Sequence, residues 1–129
     1  MKGTIHHIEI NVSNLKRSRT FWEWLLLELG YQLFQEWDLG FSFKLSDTYL
    51  VFVQTEKMYV KNNYHRKNTG LNHIAFHADT KKTVDDLTNK LKEKGIKILY
   101  ENAHPFAGGE NHYAVYFESP DRVKVEIVA

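Results

Sequence analysis

Two short stretches decide how this chain reads. The first is His7-Ile8-Glu9-Ile10-Asn11-Val12, followed by Ser13-Asn14; the second is Asn72-His73-Ile74-Ala75-Phe76-His77. The first alternates polar and apolar residues with a period of two, the pattern of a β-strand with one buried face, and the second reads as a strand as well. The pair His-Ile recurs 66 residues apart, and at the same offset Phe21 meets Leu87 and Leu25 meets Leu91. Gly30 meets Gly95 one residue short of that offset. A repeat of this length marks two copies of one supersecondary unit.

Outward from the first stretch, Ser13 and Asn14 are helix-capping types, and Phe21, Trp22, Leu25, Leu26 and Leu29 form an apolar stripe at helical spacing. Gly30 stands where a left-handed residue ends a helix. Strands are expected at 31–37, 41–45 and 49–54, divided by Asp38-Leu39-Gly40 and Ser46-Asp47. Outward from the second stretch the order repeats. A strand is expected over 71–78, and Thr80 caps a helix carrying Val84, Leu87 and Leu91 up to Gly95. Strands then follow at 96–100, 113–117 and 123–128, with Ser119-Pro120-Asp121-Arg122 as the last turn. The expected fold is therefore α+β: two tandem βαβββ modules, about 1–55 and about 71–129, forming one domain. The joint of about 56–70 is polar and aperiodic.

The remaining composition narrows the function classes. The chain has 129 residues, 43% hydrophobic and 26% charged, enough for one domain with a core. A formal charge of +1 argues against a dedicated nucleic-acid binder, which needs a basic surface to neutralise phosphates. Lys57, Lys61, Arg66 and Lys67, interleaved with Tyr59 and Tyr64, read as a solvated linker. There is no cysteine, hence no disulfide framework and no thiolate site, and any metal must be held by His and carboxylate. No apolar run approaches the ~18 residues that span a bilayer, and Met1-Lys2-Gly3-Thr4 opens no signal peptide. The expectation is a cytoplasmic protein without membrane partners. Neither a phosphate-binding glycine loop nor a Gly-x-Ser-x-Gly elbow is present.

The ordered set His7 to Asn14, Phe21-Trp22, Leu29-Gly30-Tyr31, Asn72-His73-Ile74-Ala75-Phe76, and Ser119-Pro120-Asp121 followed by Val125-Glu126-Ile127 resembles the vicinal oxygen chelate superfamily. That superfamily includes glyoxalase I, fosfomycin-resistance thiol transferases, methylmalonyl-CoA epimerase and extradiol dioxygenases. The resemblance implies a curved mixed sheet around a metal-binding cavity, a small-molecule substrate and a homodimer. It also implies metal ligands at His7, His73 and Glu126. Counting from the turns, five residues after Asp121 is Glu126 and five after Asp47 is Phe52, which cannot ligate. Gln54, on the same strand face, is the nearby substitute for a fourth ligand.

Two imidazoles and a carboxylate suit Zn, Mn, Fe or Ni, with open positions for two substrate oxygens and the cation as Lewis acid. Alternation puts Glu9 on the face of His7 and His77 on the face of His73, so both are candidate general acids or bases. Tyr116 is a further candidate for that face, whereas His6 is expected to point away. Glu101 to His112 is longer than a hairpin needs, and Gly108-Gly109 could hinge it with His104 or His112 near substrate. The expected function is a divalent-metal-dependent lyase, isomerase or thiol transferase acting on vicinal oxygens. The alternative is a non-catalytic sequestration protein of the bleomycin-resistance type.

Overall fold

A computed structural model describes residues 1–129, which divide into two compact units, residues 1–63 and 64–129. The first unit runs β1 (His7–Val12), α1 (Leu15–Glu28), β2 (Gln32–Trp37), β3 (Gly40–Leu45) and β4 (Thr48–Gln54). Its four strands form one mixed sheet in the order β1-β4-β3-β2. The β1–β4 pair is parallel, while β2–β3 and β3–β4 are antiparallel. Asn14 adopts extended backbone and its side chain accepts from the Arg17 amide, which fixes where α1 starts. Gly30, at φ +89, ends α1 in the left-handed conformation that glycine adopts without strain.

α1 packs on β3 and β4 through Trp22, Leu25 and Leu26, all essentially buried. The Trp22 ring lies 4.8 Å from Phe52, and Phe52 stacks on Phe41 at 5.1 Å. Large apolar side chains of this kind each contribute roughly 1.5–3 kcal/mol on burial. Ile10, Phe41 and Phe52 are cross-strand neighbours, so one face of the sheet is committed to the helix. The other face presents His7, Glu9, Asn11, Tyr49 and Val51.

The second unit runs β5 (His73–His77), α2 (Lys81–Glu93), β6 (Ala114–Glu118) and β7 (Lys124–Val128). Its sheet has three strands in the order β5-β7-β6, with β5–β7 parallel and β6–β7 antiparallel. Thr80 caps α2 by accepting from the Thr83 amide. Val84, Leu87 and Leu91 lie on the α2 face, and Val115, Phe117, Val125 and Ile127 are fully buried on the sheet. The remaining α+β architecture agrees with the sequence reading, with one difference. Residues 96–100 form no strand, so this unit is βαββ. Only the Leu99 amide reaches β6, donating to Tyr116 O at 2.8 Å. Tyr100 then turns the chain away at φ +54, and a ladder needs more than one rung.

Candidate functional site

The register of the second sheet sets out its helix-free face row by row. His73 lies beside Lys124, and Lys124 beside Glu118. In the next row Ala75 lies beside Glu126, and Glu126 beside Tyr116. His77, Val128 and Ala114 make the third row. Strand residues directly opposite share a face, so His73, Lys124, Glu126 and Tyr116 are neighbours although 53 residues separate the first from Glu126. Ala75, at the centre, offers only a methyl group.

Glu126 is the buried charge of this face, 3% exposed. Its Oε2 lies 3.0 Å from His73 Nε2, and its Oε1 is in contact with His112 Nε2. Burying a carboxylate costs several kcal/mol unless each oxygen is matched, and here two imidazoles do so. His73 Nδ1 in turn lies 2.7 Å from Asn72 Oδ1. Three proton arrangements can be drawn for this chain, the last of them a doubly protonated ring that donates to both Asn72 and Glu126. With the proton on Nδ1, the ring donates to Asn72 and turns its Nε2 lone pair toward the carboxylate, leaving two acceptors that need a cation. With the amide flipped, Asn72 donates and Nε2–H bonds Glu126 directly. The first arrangement is the orientation that metal-binding histidines carry. In that arrangement His73 Nε2 and the Glu126 carboxylate are the donor types that divalent cations accept, which makes the two residues candidate ligands.

His112 reaches Glu126 because of the glycine four residues before it. A Cβ on Gly108 would come within 2.4 Å of His112 Cδ2 and 2.7 Å of Tyr116 Oη. Residues 100–112 are a succession of hydrogen-bonded turns: His104 N to Tyr100 O, Phe106 N to Ala103 O, Gly109 N to Phe106 O, and His112 N to Gly109 O. The segment is thus laid against the sheet, and His112, rather than His104, meets Glu126. Burial lowers the His104 pKa. Tyr116, packed 6.2 Å from the His73 ring, has its pKa pushed up to about 12, first by burial and then by the Glu126 charge. His77 is exposed and makes no polar contact.

In the first unit His7 is exposed and stacks on Tyr49 at 4.9 Å with the rings nearly parallel. His6 does not point away from it: the two Nδ1 atoms are 2.9 Å apart. Residue 6 precedes the paired strand, so strand alternation does not govern its side chain. Glu9 shares the face of His7, exposed and without a polar partner. Within neither unit do three His, Asp or Glu side chains already form a metal-holding group.

Two expectations about the first unit need correction. The position equivalent to Glu126 is Val51, because Glu126 pairs with the residue two after His73 and Val51 pairs with the residue two after His7. Counting from the turns misses this because two residues join β3 to β4 and five join β6 to β7. Phe52 instead faces α1. Val51 carries no donor either, so no ligand arises there. Gln54 is occupied as a clamp: Leu15 N donates to its Oε1 at 2.9 Å, and its Nε2 donates to Ser13 O at 2.9 Å.

The chain matches the glyoxalase/bleomycin resistance protein/dioxygenase superfamily over residues 4–127. It belongs to that superfamily. The Bacillus subtilis protein YqjT, itself uncharacterised, is 54% identical over 125 residues, covering 97% of this chain and 98% of the relative. A crystal structure from Bacillus halodurans, assigned provisionally as a glyoxalase, superposes with a TM-score of 0.98. It has 60% identity and covers 99% of this chain and 96% of that one. The glutathione transferase FosA of Serratia marcescens is 27% identical over 128 residues, 98% of this chain and 81% of its own. No helix of this superfamily member is long and apolar enough to cross a membrane.

Proposed function

We propose that this superfamily member is a small divalent-metal-dependent enzyme acting on a substrate with two vicinal oxygens, in the lyase, isomerase or thiol-transferase classes. The observation that carries the reading is the buried Glu126 carboxylate with His73 on one oxygen and His112 on the other. In this proposal His73 and Glu126 are ligands, and His7, at the repeat-equivalent position of His73, is the third. His112 holds Glu126 in place. Bound there, a divalent ion such as Zn, Mn, Fe or Ni supplies Lewis acidity to two oxygens of one small molecule.

The chain's own groups handle protons and orientation. Glu9 and His77, both exposed and without partners, are the proposed proton carriers. Tyr116, protonated across the neutral range, is a hydrogen-bond donor beside Glu126. Asn72 orients the His73 ring. The setting is a cytoplasmic homodimer, on the strength of the family. The test is elemental analysis of purified, metal-replete protein beside a His73→Ala variant. Stoichiometric metal in the first and little in the second supports the enzyme reading. Equal content removes it, and an absence of metal in both favours a sequestration protein.

A further inference from the structure

Arg66 is the buried cation of this molecule, 9% exposed, and its charge is incompletely matched. Its Nη1 lies 3.1 Å from Glu118 Oε2, but neither Nη1 nor Nε makes an aligned hydrogen bond. The same Glu118 oxygen also accepts from Arg122 Nε at 3.0 Å. One carboxylate thus serves two guanidinium groups. Lys124, the cross-strand neighbour of Glu118, has no carboxylate partner at all. Its ammonium donates to the Tyr100 hydroxyl at 3.2 Å and lies over the Tyr100 and Tyr116 rings at 5.3 and 5.8 Å. Two guanidinium groups therefore share one carboxylate, with Lys124 as its neighbour in the sheet. Buried donors left unmatched are costly, and such groups in folded proteins call for a functional explanation.

We propose that Lys124, Tyr100 and Arg66 form a receptor for an oxyanion substituent of the substrate, one row along the sheet from Glu126. The inference rests on the reading of this face as the reacting site, and it adds that the small molecule is an acid rather than a neutral compound. Lys124 is next to His73 in the sheet, so an anionic arm held there leaves the substrate's remaining oxygens over Ala75 and Glu126. Lys124 and the Tyr100 hydroxyl make the direct contacts. Arg66, whose charge acts on Tyr100, supplies the second positive charge. Tyr100 carries the mark of this field: its pKa is lowered first by the Lys124 hydrogen bond, with the Arg66 charge adding to it. Carboxylate and phosphoryl groups share the required chemistry, charge-assisted acceptance from an ammonium and a hydroxyl.

The experiment titrates isotopically labelled, metal-free protein with inorganic phosphate and, separately, with acetate, following NMR shifts. The expected result is a saturable shift centred on Tyr100, Lys124 and Arg66. It should weaken at least about tenfold in Lys124→Gln, the loss of one charged hydrogen bond. Lys124 is partly exposed, and an otherwise unchanged spectrum verifies the fold of the variant. A stronger response to phosphate assigns a phosphoryl-type arm, and a stronger response to acetate a carboxylate. No saturable shift with either anion, or equal binding in Lys124→Gln, overturns the proposal. Metal content measured on separate, metal-replete preparations of the parent and Lys124→Gln separates the two inferences: a variant that takes up metal like the parent and loses the anion response bears on this receptor alone.

Discussion

Replacing Glu126 by Gln isolates the charge on which the functional reading turns. The change keeps shape and volume, and Glu126 is 3% exposed between His73 and His112. Without metal, two opposing effects are removed together. Hydrogen bonds to a charged acceptor contribute about 1.5–3 kcal/mol each, while burying the carboxylate costs several kcal/mol. Metal-free stability should therefore move by only about 1 kcal/mol. The response to metal should move much further. A ligand at a hundredfold excess over its Kd stabilises the folded state by about 2.7 kcal/mol. A chain of 129 residues unfolds with an entropy of roughly 0.27 kcal/mol/K. The two figures combine to a rise of about 10 °C in Tm. The assay is thermal unfolding with and without Zn, Mn, Fe(II) or Ni. The parent protein should rise by about that amount with one of them, and Glu126→Gln should stay within ~2 °C. A variant that rises as far as the parent, or a parent that responds to none of the four, refutes the reasoning.

Gln54→Met removes three neutral hydrogen bonds, the two that clamp the start of α1 and a longer one to Thr55 O, and at about 0.5–1.5 kcal/mol each urea unfolding should show a loss of about 1.5–4.5 kcal/mol. Metal content should be unchanged, and a fall would restore Gln54 as a ligand. Gly108→Ala forces a methyl group into His112 and Tyr116, and overpacking of this kind costs about 1–3 kcal/mol; unchanged stability in urea would contradict the described approach of that segment. Tyr116→Phe tests the raised phenol. An unfolded tyrosine loses its proton near 10.0 and the folded one near 12. The proton held by the folded state is thus a stabilising contribution present below pH 10 and lost as pH rises through 12. Tyr116→Phe should lose less stability over that window than the parent, and equal losses would deny the shift.

The sequence by itself determined the order of elements. Period-two alternation at 7–12, capping at Asn14 and Thr80, and the stops at Gly30 and Gly95 are local signals, read by backbone sterics within a few residues. The His-Ile repeat singled out His7 and His73, and the family resemblance added Glu126; strand register then places His73 and Glu126 on one face of their sheet. Tertiary structure decided what no short window contains. Whether 96–100 becomes a strand depended on a partner edge that Tyr100 turns away from. The identity of the residue opposite Glu9 depended on the length of a distant turn, which moved the equivalent position from Phe52 to Val51. The meeting of His112 with Glu126 required Gly108 to leave space beside Tyr116. Local conformation is set by each residue's own dihedral preferences, whereas side-chain partnership is set by the packing of segments far apart in the chain.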